Sequence, residues 1–298
     1  MEPAVVEPIA GEADGVRWSV LDGRPHPGLD GLVVRYSDYT EHSRTALRRR
    51  QVATPGVTVI LSYGDPLRLE FDGGPAVEHR SFVAGIHDAC VITEYQGPQG
   101  GMQVDLTPIG AHRLLGVPMR HLTNERIDTA ALDVAVDLVE LTDRLAHAAT
   151  RVERFAVVDE VLLAAAATGP VVRPETAWAW RQLQRTGGLV SVNELADEIG
   201  WSRRHLIRRF GEEIGLSPKP VARLLRFSRA VDLFGMLAQP GPVPDGGPRP
   251  FTISDVAATT GYADHSHLVR EFRRLAGCSP SAYLADLTAA GHGAITTP

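Results

Sequence analysis

The feature that most constrains this 298-residue chain is a repeat near its end. Ser191 to Pro218 and Thr252 to Pro280 match position by position. Leu195-Ala196 corresponds to Val256-Ala257, and Gly200-Trp201 to Gly261-Tyr262. Leu206, Arg208, Phe210, Gly215 and Ser217-Pro218 recur as Leu268, Arg270, Phe272, Gly277 and Ser279-Pro280. The offset is 61 residues before a central turn and 62 after it, so the second turn is one residue longer. Short amphipathic helix pairs are common, but two copies with shared spacing are a specific signal.

Each position in the repeat has a physical role. Ser191 and Glu194 form a capping box that starts a short helix, and Thr252 with Asp255 is a looser version of it. Leu195-Ala196 faces inward, and the small alanine lets the next helix approach. Gly200 and Gly261 end the helix, because glycine takes the left-handed conformation cheaply. Trp201 or Tyr262 then fills the corner. A second helix follows, capped by Ser202 in the first copy and by Asp264 in the second. Its inner face carries Leu206 and Phe210, or Leu268 and Phe272, at i and i+4. Its outer face is left to Arg203, Arg204, Ile207 and Arg208, or to His265, Ser266, Val269 and Arg270. This is a helix-turn-helix pattern, whose second helix lies in a DNA major groove.

On these residues, positions from about 175 to 287, bounded by the paired helix-turn-helix pattern, resemble the AraC/XylS family DNA-binding domain. The resemblance implies two units joined by a long helix and seated in consecutive major grooves. Pro218 to Leu237 suits the joining helix, with Val221, Leu224, Leu225, Ala230 and Leu233 apolar. It also implies base reading by Arg203, Arg204, Ile207 and Arg208 in the first unit, and by His265, Ser266, Val269 and Arg270 in the second. Ser202, Arg209, Arg273 and Arg274 are then phosphate contacts, which give affinity without sequence information. For Arg208 and Arg270 a structural ion pair stands as the alternative. The second unit is the less basic, since neutral histidines supply little charge. The Pro/Gly-rich stretch 238–250 is longer than the family pattern. It reads either as a solvated loop or as a segment reaching DNA or polymerase.

Upstream the texture changes. Residues 1–30 are rich in Pro, Gly and acidic residues and read as a flexible lead-in. Leu32–Tyr36, Val57–Ser62, Leu67–Phe71, Ser81–Ile86, Cys90–Tyr95 and Met102–Leu106 are short β-prone runs. Gly64-Asp-Pro66, Asp72-Gly-Gly-Pro75 and Gly97-Pro-Gln-Gly-Gly101 separate them, which suggests a sandwich or barrel. From Ala131 to Ala167 the pattern is helical. Val134, Leu138, Leu141 and Leu145 form one apolar stripe, and Val152, Phe155, Val158 and Leu162 a second. The stripes either pack on their own barrel or make a dimer interface. Thr168-Gly-Pro170 breaks the helix and marks a domain boundary.

Residues 31–168 resemble, more faintly, the sensor domains that accompany this DNA-binding domain, with Gly101 to Pro118 looking like the close of a cupin-like barrel. The fold expected is therefore α+β: a cupin-like β-barrel with dimerisation helices over 31–168, then an all-α domain over 172–288 with two helix-turn-helix units joined by a long helix, and a tail over 289–298. The function implied is a sequence-specific transcription regulator, by family habit an activator, acting as a homodimer on double-stranded promoter DNA with RNA polymerase. A small-molecule effector is the candidate ligand of the barrel, whose mouth favours pockets.

Two rivals stand beside it. One is a regulator that senses a protein partner through the stripe Val134–Leu145. The other is a cupin-type enzyme with an accessory DNA-binding domain. Cupin enzymes place a His-x-His and a Glu at set spacing, and His79, His87 and His112 lack it. His265-Ser-His267 has that spacing, but residues two apart on a helix do not face each other. Asp105 and Glu94 read as hydrogen-bonded strand residues rather than catalytic acids. No catalytic residue, metal or cofactor is expected.

Net charge is −6, which by itself argues against a nucleic-acid partner. The two halves differ: residues 1–171 sum to −9 and residues 172–298 to +3. This asymmetry agrees with DNA binding at the C-terminal end. The two cysteines, Cys90 and Cys278, are too few for a disulfide framework. No apolar run approaches the length of a membrane span, and Met1 to Gly11 lacks the form of a secretory signal. A cytoplasmic location without membrane contact is expected.

Overall fold

A computed structural model describes residues 8–13, 15–71, 73–238 and 252–290. The N-terminal half is built on one antiparallel sheet with nine strands among the described residues. The strands are β1 (Ile9–Ala13), β2 (Val16–Gly23), β3 (Val33–Gln51), β4 (Val57–Ser62), β5 (Leu67–Phe71), β6 (Val77–His79), β7 (Phe82–Ala84), β8 (Val91–Leu106) and β9 (Arg126–Asp128). The main order is β1-β2-β3-β8-β4-β7-β9, and β5 bridges β8 to β6.

Two sequence expectations change here. Residues 9–23 are not a loose lead-in but two strands, because Trp18 and Leu21 bury their side chains and β2 pairs along β3. Gly97 to Gly101 is not a turn between strands. It lies inside β8, with Gly97 opposite Ser43 and Gly101 opposite Tyr39. The register shifts between Ser43 and Leu47, so extra residues bulge out of β3 and both long strands bend there. Gly97, at φ +90°, supplies the left-handed residue that this bend needs.

Strand periodicity assigns the faces. Tyr36, Val57, Val59, Leu61, Met102 and Val104 point to one side, into a core shared with α1 (Pro108–Leu115), α2 (Leu138–His147) and α3 (Arg151–Thr168). The intervening residues, such as Thr58, Ile60 and Gln103, line a cavity on the other side. Helix α3 is anchored to the sheet by fully buried Asp38. That carboxylate accepts from Arg151 and, at 2.8 Å, from Arg154. Tyr63 donates to the same carboxylate at 2.7 Å.

The helical stripes settle within the chain. Leu138, Leu141, Leu145, Phe155, Val158 and Leu162 are all buried in the sheet's own core. The stripe is therefore no docking or dimer face: burying it on the sheet already removes its apolar surface from water. Residues 132–137 are non-helical, and Thr150, with Glu153, caps α3 as a separate helix.

The C-terminal half is helical: α4 (Pro174–Arg185), α5 (Val192–Glu198), α6 (Arg203–Ile214), α7 (Pro218–Ala238), α8 (Ile253–Thr259), α9 (His265–Leu275) and α10 (Pro280–Ala290). Helix α7 runs through the middle. Val221, Leu224 and Phe227 bury in its first half, and Ala230, Val231 and Phe234 in its second. Phe272 of α9 meets Phe227 and Phe234 edge to face at 4.9 and 5.1 Å. Residues 239–251, which include nearly all of the Pro/Gly-rich stretch, lie outside the described residues.

The chain crosses between the halves at Thr168, where α3 ends, but the halves touch. Ala53 and Ile86 of the sheet region belong to the helical core. The Ala53 N–H donates to the Leu275 carbonyl at 3.0 Å. Arg50 pairs with Asp286 at 2.9 Å, and Asp88 accepts from Arg223 at 3.0 Å and Arg274 at 2.7 Å. The two cysteines meet this same seam: a side chain on Gly277, beside Cys278, would lie 2.8 Å from the Cys90 sulfur.

Candidate nucleic-acid interface

Helices α5–α6 and α8–α9 are built alike. Both open with a complete capping box, Ser191 with Glu194 and Thr252 with Asp255. Glu194 is held below the usual carboxylate range by the backbone N–H and hydroxyl of Ser191. Both end in the same pair of bonds. Gly200 N–H donates to Asp197 and Trp201 N–H to Ala196; Gly261 N–H donates to Ala258 and Tyr262 N–H to Ala257. This is the Schellman arrangement, with Gly200 at φ +70° and Gly261 at φ +78°. The aromatic that follows meets a histidine of the next helix edge-on, Trp201 on His205 at 4.6 Å and Tyr262 on His267 at 5.2 Å. Ser202 and Asp264 then cap α6 and α9 through the His205 and His267 N–H groups, at 3.2 and 2.7 Å.

The outward faces can now be read. Arg203, Arg204, Ile207 and Arg208 are exposed together on α6. His265, Ser266 and Arg270 are exposed on α9, and Val269 is half-buried among them. Arg203, Arg204 and Arg270 make no ion pair among the described residues. Arg208 pairs with Glu212 at 3.2 Å, and Arg209, half-buried, pairs with the same carboxylate at 3.0 Å. Partial burial pushes Glu212 up, but the hydrogen bond from Arg209 and both guanidinium charges hold it below its ordinary value. Ser202 and Arg273 are exposed. Arg274, at the C-terminal end of α9, is turned to Asp88 on the sheet domain. The N-terminal halves of both outer helices are thus open, while their C-terminal ends lean on the rest of the molecule.

The cavity of about 170 Å³ in the sheet is the second candidate site. Leu67, Leu69, Ile60, Phe82 and Val91 give it apolar walls. Glu41 and Arg49 pair inside it through two hydrogen bonds, one of them 2.7 Å. His87 and Arg126 also line it. His87 is only 8% exposed, and its Nε2 has no partner. Its pKa is pulled down to about 4, first by burial and then by the Arg126 charge, so the ring is neutral. Arg126 stacks over Phe71 at 4.6 Å, with its Nε and Nη1 buried and unpartnered. Sequence reading assigned none of these residues to a pocket; His87 entered it only as a histidine without metal-ligand spacing. The alternation Val91-Ile-Thr93-Glu-Tyr95 was a visible signal for one wall.

The acids considered in the enzyme reading are engaged in strand-to-strand bonds. Asp105 accepts from Arg35 and Thr58, at 2.7 and 2.8 Å, and Glu94 pairs with Arg48 and Arg68. Among the described residues no group of three His, Cys, Asp or Glu is placed to hold a metal ion. No helix among them is long and apolar enough to cross a membrane.

Paired helices with uncovered second helices have the form of helix-turn-helix units, and sequence comparison finds the same motif class in part of this region. Residues 248–285 match the model for bacterial regulatory helix-turn-helix proteins of the AraC family, and residues 23–128 match a domain of unknown function, DUF6597. Part of the C-terminal region is thus similar to AraC-family helix-turn-helix proteins. An uncharacterised helix-turn-helix transcriptional regulator of Bacillus subtilis strain 168, YbfI, is 32% identical over 79 residues. That match spans 26% of this chain and 24% of the relative, about a quarter of each. Among solved structures, ToxT from Vibrio cholerae O395 aligns over 82% of this chain and 98% of its own, at 11% identity and a TM-score of 0.44. The C-terminal domain of AraT from Geobacillus stearothermophilus aligns over 39% and 87%, at 20% identity and a TM-score of 0.32.

Proposed function

We propose that this protein is a sequence-specific regulator that grips promoter DNA with both helix pairs and senses an effector through the cavity of its sheet. The observation that carries the reading is the twin construction of α5–α6 and α8–α9, with the N-terminal half of each second helix uncovered. In a helix-turn-helix those are the residues that reach base edges. Helix α7 spans about 31 Å at 1.5 Å per residue, close to one turn of B-DNA. That length supports two units meeting successive major grooves.

The first unit does most of the reading. Arg203, Arg204 and Arg208 present three guanidinium groups, each able to clasp a guanine, and Ile207 meets a thymine methyl. The second unit offers His265, Ser266, Val269 and Arg270, with one formal charge among them. Ser202, Arg209 and Arg273 serve the phosphates. The sensor domain spans 31–168 with the preceding strands added to it, and the DNA-binding domain 172–288. The protein acts in the cytoplasm, where it activates transcription through RNA polymerase.

A quantitative binding assay on promoter fragments tests this. Arg204→Ala should cost about 1–3 kcal/mol and relax preference at one base position. Arg273→Ala should weaken all sequences alike and flatten the salt dependence by about one phosphate contact. Unchanged binding in both variants would refute the placement of the DNA face.

A further inference from the structure

The charges inside the sheet cavity do not cancel. Arg49 and Glu41 neutralise each other through their two hydrogen bonds. His87 is neutral, with one ring nitrogen free. Arg126 is left over: among the described residues it has no ion-pair partner, and two of its nitrogens are buried without an acceptor. Glu125, next to it on the chain, is exposed and acts on it only as a nearby charge. A buried guanidinium without a counter-charge is costly. Its stacking on Phe71 covers one face and fixes the plane. The edge is left for a ligand.

We infer that the cavity is a binding site for a small organic monocarboxylate, with the carboxylate on Arg126, a polar contact to His87 Nε2, and an apolar body against Leu67, Leu69, Ile60 and Phe82. One negative charge brings the lining to neutrality. A phosphate dianion would overshoot it, and among the described residues the lining has no second unpaired cation to hold one. A neutral ligand would leave Arg126 as costly as before. The assignment rests on reading this cavity as the effector site, and it adds the chemical class of the effector.

The test is calorimetric titration of the full chain with 3-phenylpropanoate, its neutral amide 3-phenylpropanamide, and phenyl phosphate. The acid should bind, and the amide should bind about 10- to 100-fold more weakly, as loss of a charge-assisted hydrogen bond implies. Arg126→Gln should erase the difference between acid and amide, and Arg126→Lys should keep part of it. Thermal unfolding of ligand-free Arg126→Gln guards against trivial misfolding. Removing an uncompensated charge should leave its melting temperature equal to or above that of the wild type. Equal binding of acid and amide, preference for phenyl phosphate, an unchanged Arg126→Gln, or no binding of the acid at millimolar concentration would each overturn the assignment. DNA binding is measured separately by gel shift. A failed titration with intact DNA binding sinks the ligand class alone, and lost DNA binding with intact titration sinks the regulator reading alone.

Discussion

His87 couples the cavity to the pH of the solution. Its neutral ring sits at about 4, against 6.5 in an open chain, through burial and the Arg126 charge. A Gly85 backbone hydrogen bond and the Asp88 charge push back without restoring it. Between these two values the unfolded chain takes up a proton that the folded chain refuses. Stability therefore falls as pH drops from 6.5 towards 4, by on the order of 3 kcal/mol from this residue. His87→Gln should flatten that part of the curve. Urea midpoints of both proteins across the range provide the check, and parallel curves would show that His87 does not titrate in this way. Burial also separates the arginines of the DNA face. Arg203 and Arg204 are exposed and unpaired among the described residues, so their guanidinium groups are available as they stand. To read a base as proposed, Arg208 would have to leave Glu212, and an exposed pair four residues apart on a helix is weak beside a grip on guanine.

At the scale of elements, the sharpest test is the turn between α5 and α6. Gly200 holds φ at +70°, and a methyl group added there meets nothing within 4 Å. Gly200→Ala should therefore cost about 1–2 kcal/mol from backbone strain alone, seen as a lower urea midpoint with unchanged slope. A variant as stable as the wild type would mean that the turn is not constrained in this way. Elements of this kind are legible from sequence because their signals are local. Capping boxes, left-handed glycines and paired apolar positions all lie within a dozen residues, and both copies fold as those signals say. The sheet was legible only in pieces. Gly97 to Gly101 carries the composition of a turn, yet its pairing with β3 across more than fifty residues makes it strand. Trp18 and Leu21 sat in a segment whose proline and acid content pointed to a loop, and only the β2–β3 pairing buries them. The alternation that lines the cavity was visible in Val91, Thr93 and Tyr95. Which face curls around a cavity and which packs on α3 depends on contacts such as Asp38 with Arg151 and Arg154, which no local pattern reveals.

In the whole molecule, the walls of the cavity are also the seat of the second helix pair. Along 52–54 and 86–87 the chain serves both sides: Thr54 and His87 line the cavity, Ala53 and Ile86 pack into the helical core, and Val52 touches both. Asp88 comes next and holds both Arg223 of α7 and Arg274 of α9. Arg274 cannot stay on Asp88 and also neutralise a phosphate, so on the proposed reading of the DNA face the sheet domain competes with DNA for a positive charge on α9. Asp88→Asn isolates this competition. It keeps an oxygen for the Asn124 amide, which now donates to Asp88 at 3.2 Å. Arg223 retains Glu271 at 3.4 Å, so no buried guanidinium is stranded. Both arginines lose the Asp88 Oδ2 acceptor, but only Arg274 is left without an ionic partner. The expected result is tighter binding to all DNA sequences at low salt, with a salt dependence steeper by about 0.9 in log–log slope, the signature of one added phosphate contact. Arg274→Ala should leave the wild-type salt slope nearly unchanged and abolish the gain when combined with Asp88→Asn. An Asp88→Asn protein with wild-type affinity and slope would show that the ion pair holds the domains together without rationing charge to the DNA face.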